Sequence, residues 1–159
     1  MMSNLAKIAF LFYSDIFEKN MVETMWAEII DEQQGVYKLD NISFYATLVA
    51  CGDVIKAEYD KNEERLIYKE TIKASGNSVI QVLVLEPHFA RIEEIRRMFK
   101  LQECTSERAN DSYFVLEIPF EINYKPIQHQ LYGLEEEEVL VFAEACLSVK
   151  HNQDFVILN

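Results

Sequence analysis

Residues 22–78 read VETMWAEIIDEQQGVYKLDNISFYATLVACGDVIKAEYDKNEERLIYKETIKASGNS, in which three short strand-like runs are interrupted by one long connection over residues 37–57. Residues 22–30 alternate, with Val22, Thr24, Trp26, Glu28 and Ile30 on one side and Glu23, Met25, Ala27 and Ile29 on the other, and neither side is purely apolar. Asp31-Glu32-Gln33-Gln34-Gly35 then supplies a polar turn with a residue free to take positive φ. Residues 36–39 return beside it, which predicts a hairpin. Asp40-Asn41 closes that strand, Phe44 and Tyr45 supply aromatic bulk, and Cys51-Gly52-Asp53 turns the chain into Val54-Ile55-Lys56-Ala57. A second hairpin is predicted over residues 54–59 and 65–74, joined by the charged tip Asp60-Lys61-Asn62-Glu63-Glu64. Its second strand sets Leu66, Tyr68, Glu70 and Ile72 on one face. With KIAFLFY, residues 7–13, as the first strand, these runs predict a small antiparallel, β-barrel-like unit over residues 1–76.

At Ser75-Gly76-Asn77 the punctuation changes, and residues 77–159 read βαββαβ, the order of a ferredoxin-like unit. SVIQVLVLE, residues 78–86, has the near-continuous apolarity of a central strand, and Pro87 ends it. Phe89, Ile92, Ile95 and Phe99 recur at helical spacing against Arg91, Glu93, Glu94, Arg96, Arg97 and Lys100, which predicts an amphipathic helix. Residues 102–108 and 113–118 form the next strand pair, limited by Pro119. A second helix begins near Pro126, carries Ile127, Leu131 and Leu134 inward and ends near Gly133. Glu135 to Glu138 lead into a last strand over residues 139–145, and Phe155-Val156-Ile157-Leu158 is apolar enough to dock. The fold class is therefore α+β. No Gly/Ser/Pro-rich linker separates the two units, so they are expected to pack tightly, with a single domain as the alternative.

The chain has 159 residues, half of them hydrophobic, which is enough for a sizeable core. Its formal charge of −12 is spread throughout, with 8 basic against 13 acidic residues in 1–76 and 7 against 14 in 77–159. Such a surface repels phosphate backbones and argues against nucleic acid, while it steers toward a basic protein partner; solubility alone explains it equally well. Cys51, Cys104 and Cys146 are odd in number and widely spaced, and they read as reduced thiols of a cytoplasmic protein. Lys7 interrupts the apolar N-terminal run, no cleavage pattern precedes Asp15 and Glu18, and no segment is long and apolar enough for a bilayer, so no membrane association is expected.

Motifs for chemistry are sparse. His88, His129 and His151 stand apart from one another and from Cys, Asp or Glu at ligand spacing, so no metal and no cofactor is expected. No phosphate loop, dinucleotide fingerprint, nucleophile elbow or Cys-His pairing occurs, and no catalytic residue is assigned. Asp53 after Gly52 reads as a turn former, with a general base at a small-ligand site between the two units as the alternative. The four glutamates Glu135, Glu136, Glu137 and Glu138 read either as a solvated loop or as the electrostatic face of a binder, with Asp31 and Glu32 as the next acidic group. Trp26, the sole tryptophan, reads as core or, if exposed, as an interface anchor.

The run Glu23-x-x-Trp26-Ala27-Glu28, then Tyr37-x-Leu39-Asp40-Asn41-Ile42-x-Phe44-Tyr45-Ala46, Gly52-Asp53-Val54-Ile55-x-Ala57 and Ser75-Gly76-Asn77-Ser78 resembles the bacterial domain-of-unknown-function family 4265. The similarity continues to Ile118-Pro119 and Glu144-Ala145-Cys146-Leu147. Ser43 and Asn77 stand where that family often has Pro and His, so any chemistry resting on that His is missing here. Small acidic bacterial proteins of this kind include immunity proteins. The resemblance therefore implies an antitoxin that binds and occludes a basic toxin domain, such as a nuclease of a contact-dependent growth inhibition system. The oligomeric state stays open.

Overall fold

The computed structural model describes residues 4–14 and 17–155, and the chain falls into two compact units, Met1–Ser75 and Gly76–Asn159. It is a mixed α+β protein, with one sheet in each unit and few helices.

In the first unit β1 (Leu5–Ser14), β2 (Lys19–Asp31), β3 (Val36–Leu39), β4 (Val54–Asp60) and β5 (Arg65–Lys73) pair consecutively and antiparallel. A short parallel register, Ile8 with Leu66 and Ala9 with Ile67, brings β5 back to β1. Period-two alternation decides what is buried. Met25 and Ala27 of β2 join Ile8 and Phe10 of β1, Tyr37 and Leu39 of β3 and Ile55 and Ala57 of β4 in one core, and Tyr68 stacks on Phe10 with ring centroids 4.7 Å apart. The opposite face of β2 is solvated although it carries Val22, Trp26 and Ile30, so the core reading of Trp26 is replaced by an exposed one. The alternation expected for residues 65–74 also fails at its end. Two register shifts against β4 leave Lys69 and Ile72 without partners across the ladder, and Ile72 turns to solvent. Gly35 closes the β2–β3 hairpin at φ +71°, where a Cβ would lie 2.6 Å from the carbonyl oxygen of Ala57.

The connection after β3 has no regular structure and is held by side chains instead. The Glu23 carboxylate accepts hydrogen bonds from the amides of Phe44, Tyr45 and Ala46 at 2.6, 3.0 and 2.8 Å and from the Ser43 hydroxyl at 3.0 Å. Asn41 Oδ1 accepts from the Trp26 amide at 2.6 Å. These bonds bring Ala46 and Val49 into the first core.

In the second unit β6 (Ser78–Val84) is the central strand, paired antiparallel on one side with β8 (Tyr113–Ile118) and on the other with β9 (Leu140–Cys146), while β7 (Thr105–Arg108) lies outside β8. Ile80, Val82, Phe114 and Leu116 of the sheet pack with Ile95 and Phe99 of α1 (Ile92–Lys100) and with Ile127 and Leu131 of α2 (Tyr124–Glu136). Phe89 is not on the inner face of α1 as its spacing predicts. It opens a 3-10 turn, Phe89–Arg91, and is 37% exposed. α2 starts two residues before Pro126, because Asn123 caps it by accepting the Lys125 amide. It also runs three residues beyond Gly133. A short α3 (Val149–Gln153) follows β9, and Phe155 meets the Tyr124 ring edge-on at 5.8 Å. The rest of the expected docking tail, Val156, Ile157 and Leu158, lies outside the described residues.

Candidate functional site

The acidic residues singled out in the sequence lie in different units. Asp31 and Glu32 are exposed where β2 ends in the hairpin turn, and Asp31 Oδ1 accepts the Gln34 amide at 3.1 Å. Burial first, and the Glu32 charge second, push the Tyr37 phenol above its ordinary range.

The four glutamates do not form a loop. Glu135 and Glu136 are the last residues of α2, Glu137 is its C-cap, and Glu138 takes the left-handed backbone, φ 59°, that turns the chain into β9. Glu135 is half-buried, and its Oε2 accepts the Phe142 amide of β9 at 3.3 Å. Glu136, Glu137 and Glu138 are exposed, and no ion pair involves them among the described residues. A helix C-terminus carries a partial negative charge, and no basic residue occupies the last turn of α2. Three like charges therefore sit where the helix disfavours them.

Asp53 is buried, with Oδ2 accepting the Ala50 amide at 3.0 Å and Oδ1 the Ser75 amide at 2.8 Å. Oδ2 closes the turn that begins at Ala50, while Oδ1 ties that turn to the segment after β5.

Sequence reasoning missed His151, which is fully buried. Its Nδ1 lies 2.6 Å from Ser78 Oγ and 3.0 Å from Ser148 Oγ, and its Nε2 lies 2.9 Å from the Pro119 carbonyl. A carbonyl only accepts, so Nε2 carries the proton and Nδ1 accepts from a serine hydroxyl. Burial pulls the imidazole below its ordinary pKa and keeps it neutral. A Ser-His pair of this kind can do nucleophilic chemistry only where substrate reaches the hydroxyl, and Ser78 is fully buried. The pair is therefore a clamp that ties α3 to β6. The only local signal for it is Ser148, three residues before His151, as the N-cap of a short helix. Among the described residues no group of His, Cys, Asp and Glu is placed to hold a metal, and no helix is long and apolar enough to cross a membrane. Cys104 is buried, and Cys51 and Cys146 are partly buried.

The outer face of the β1–β2 ladder exposes several apolar side chains among polar ones. Leu11 pairs with Val22 and Lys7 with Trp26, and Tyr13 and Ile30 extend the same side. Trp26 is 46% exposed, with the Lys7 ammonium 5.3 Å above its ring.

A family model described as Domain of unknown function (DUF4265) matches residues 23–142. The fold is shared with a hypothetical protein from Neisseria gonorrhoeae, whose crystal structure aligns with a TM-score of 0.74 at 23% identity, over 93% of this chain and 99% of that one. A search of the curated proteins finds no match.

Proposed function

The chain belongs to the DUF4265 family, and from that premise we propose that it is a protein-binding module, an immunity protein that occludes a basic bacterial toxin domain. The observation that carries this reading is the set Glu136, Glu137 and Glu138 at the C-terminal end of α2, exposed and without ion pairs among the described residues. That placement costs the isolated protein stability, and a basic partner offsets the cost. Asp31 and Glu32 add acidic surface on the first unit. The outer β1–β2 face offers Trp26 and Tyr13 as aromatic anchors, of the residue kinds that hold a complex together once formed. The toxin class in view is a nuclease of a contact-dependent growth inhibition system, whose phosphate-binding cleft is basic, and the site of action is the cytoplasm. At the level of fold, the order β7-β8-β6-β9 with two helices supports a ferredoxin-like second unit, and the return of β5 to β1 supports a barrel-like first unit.

The test is stopped-flow association with the co-encoded toxin domain at two ionic strengths. Replacing Glu136, Glu137 and Glu138 by Gln is expected to slow association and to flatten its salt dependence, with dissociation little changed. An association rate indifferent to salt and to the three substitutions overturns the acidic-face mechanism.

A further inference from the structure

A groove of about 520 Å³ lies between α1 and β7, in a size range that small-molecule sites occupy, and its lining is basic on a chain of charge −12. Arg96, Arg97 and Lys100 supply three cations from one helix, and Glu93 is the carboxylate among the lining residues. Helical spacing sets Lys100 beside both arginines, at i+4 from one and i+3 from the other.

These groups divide into a fixed wall and two free heads. Arg96 donates from Nε to Ser106 Oγ at 2.9 Å, from Nη2 to the Ser106 carbonyl at 3.3 Å and from Nη1 to Glu93 at 2.9 Å. Glu93 also accepts from Arg108 at 3.0 Å, so two guanidinium groups share its charge. The Ser106 hydroxyl, accepting from Arg96, keeps its own hydrogen to donate. Arg97 and Lys100 are exposed and make no ion pair among the described residues. At the floor the Cys104 thiol is pushed by burial up to about 12, so it adds no negative charge.

We propose that this groove is a binding site for a small phosphate-class dianion, held by Arg97, Lys100 and the Ser106 hydroxyl against the fixed guanidinium of Arg96. Two exposed cations with a hydroxyl donor match the several acceptor oxygens of a phosphate, and the paired Glu93 does not oppose it. Positive charge in the last turn of α1 also complements the helix dipole, but that role needs no groove.

The test is titration of the whole chain, followed by amide resonances, with inorganic phosphate, with a sugar phosphate, and with sodium chloride at matched ionic strength. Saturable shifts confined to residues 93–106 are expected for phosphate and not for chloride. Tighter binding of the sugar phosphate identifies an ester as the ligand, and equal binding identifies free phosphate. Removing each cation in Arg97→Ala and Lys100→Ala is expected to weaken binding about tenfold, and Lys100→Arg is expected to retain it. Shifts that chloride reproduces, or that the double alanine variant leaves unchanged, overturn the site.

Discussion

Replacing Glu23 by Ala tests whether one carboxylate holds the irregular connection in place. Its two oxygens accept three backbone amides and one hydroxyl from four consecutive residues, 43–46, at 2.6–3.0 Å. A hydrogen bond to a charged group contributes about 1.5–3 kcal/mol. Because Glu23 is only half-buried, water replaces part of what is lost, and the expected cost of Glu23→Ala is about 3 kcal/mol. Glu23→Gln keeps Oε1, which serves Ser43, Tyr45 and Ala46, and loses the acceptor for Phe44 together with the charge. Its expected cost is about half as large. The assay is urea unfolding followed by the fluorescence of Trp26, the sole tryptophan, which sits in the same strand and whose amide bonds to Asn41 in the same connection. With a urea slope of about 1–3 kcal/mol per molar, Glu23→Ala moves the midpoint by about 1 M or more. An alanine variant within about 0.5 kcal/mol of the parent, the range of an ordinary surface substitution, or a glutamine variant as costly as alanine, refutes the clamp.

Four further outcomes are expected. Gly35→Ala lowers the unfolding free energy, by at least about 1–2 kcal/mol for left-handed backbone alone, because φ is +71° and the new methyl meets the Ala57 carbonyl. Gly133→Ala, inside α2 with open space around its Cβ, raises it by about 0.5–1 kcal/mol; thermal melts of both variants check the opposite signs. His151 binds its proton less readily in the fold than in the unfolded chain, so its share of stability is intact above about pH 6.5 and is lost as pH falls through the folded value; urea titrations at pH 7.5 and 5.5 are expected to show a drop that His151→Gln reduces. Cys104, buried and with its thiol pushed up, is expected to react with iodoacetamide far more slowly than Cys51 and Cys146, as peptide mass mapping will read.

Strand positions were legible because side chains alternate with period two, and the amphipathic α1 because its apolar residues recur every three or four. Periodicity does not say which side of a strand faces the core when both carry apolar residues, so Trp26 and Ile30 could be placed only by the ladder itself. Gly133 marks the neighbourhood of the α2 C-terminus, three residues before Glu136, but left-handed Glu138 performs the turn, and carboxylates stand in the last helical turn against the usual preference. The acidic residues were visible as charge, whereas their division between two units was not. Glu23 and His151 gave little warning, since their partners lie about 20 residues away in one case and 73 for Ser78 in the other. The basic groove was hidden because the packing of β7 against α1 through Arg96 and Ser106 has no sequence signal, and helical spacing alone shows Arg96, Arg97 and Lys100 as a solvated face.

The bond from the Phe142 amide to Glu135 bears on self-association. β9 is an edge strand, and an edge offers its unpaired amides and carbonyls to any passing strand as a template. With Glu135 holding the Phe142 amide in the middle of β9, an incoming strand must displace a carboxylate before it can pair there. Glu135 is thus expected to hinder strand addition at that position. Removing it uncovers the apolar edge around Val141 and Phe142, so Glu135 variants favour higher oligomers, unlike variants at its three exposed neighbours.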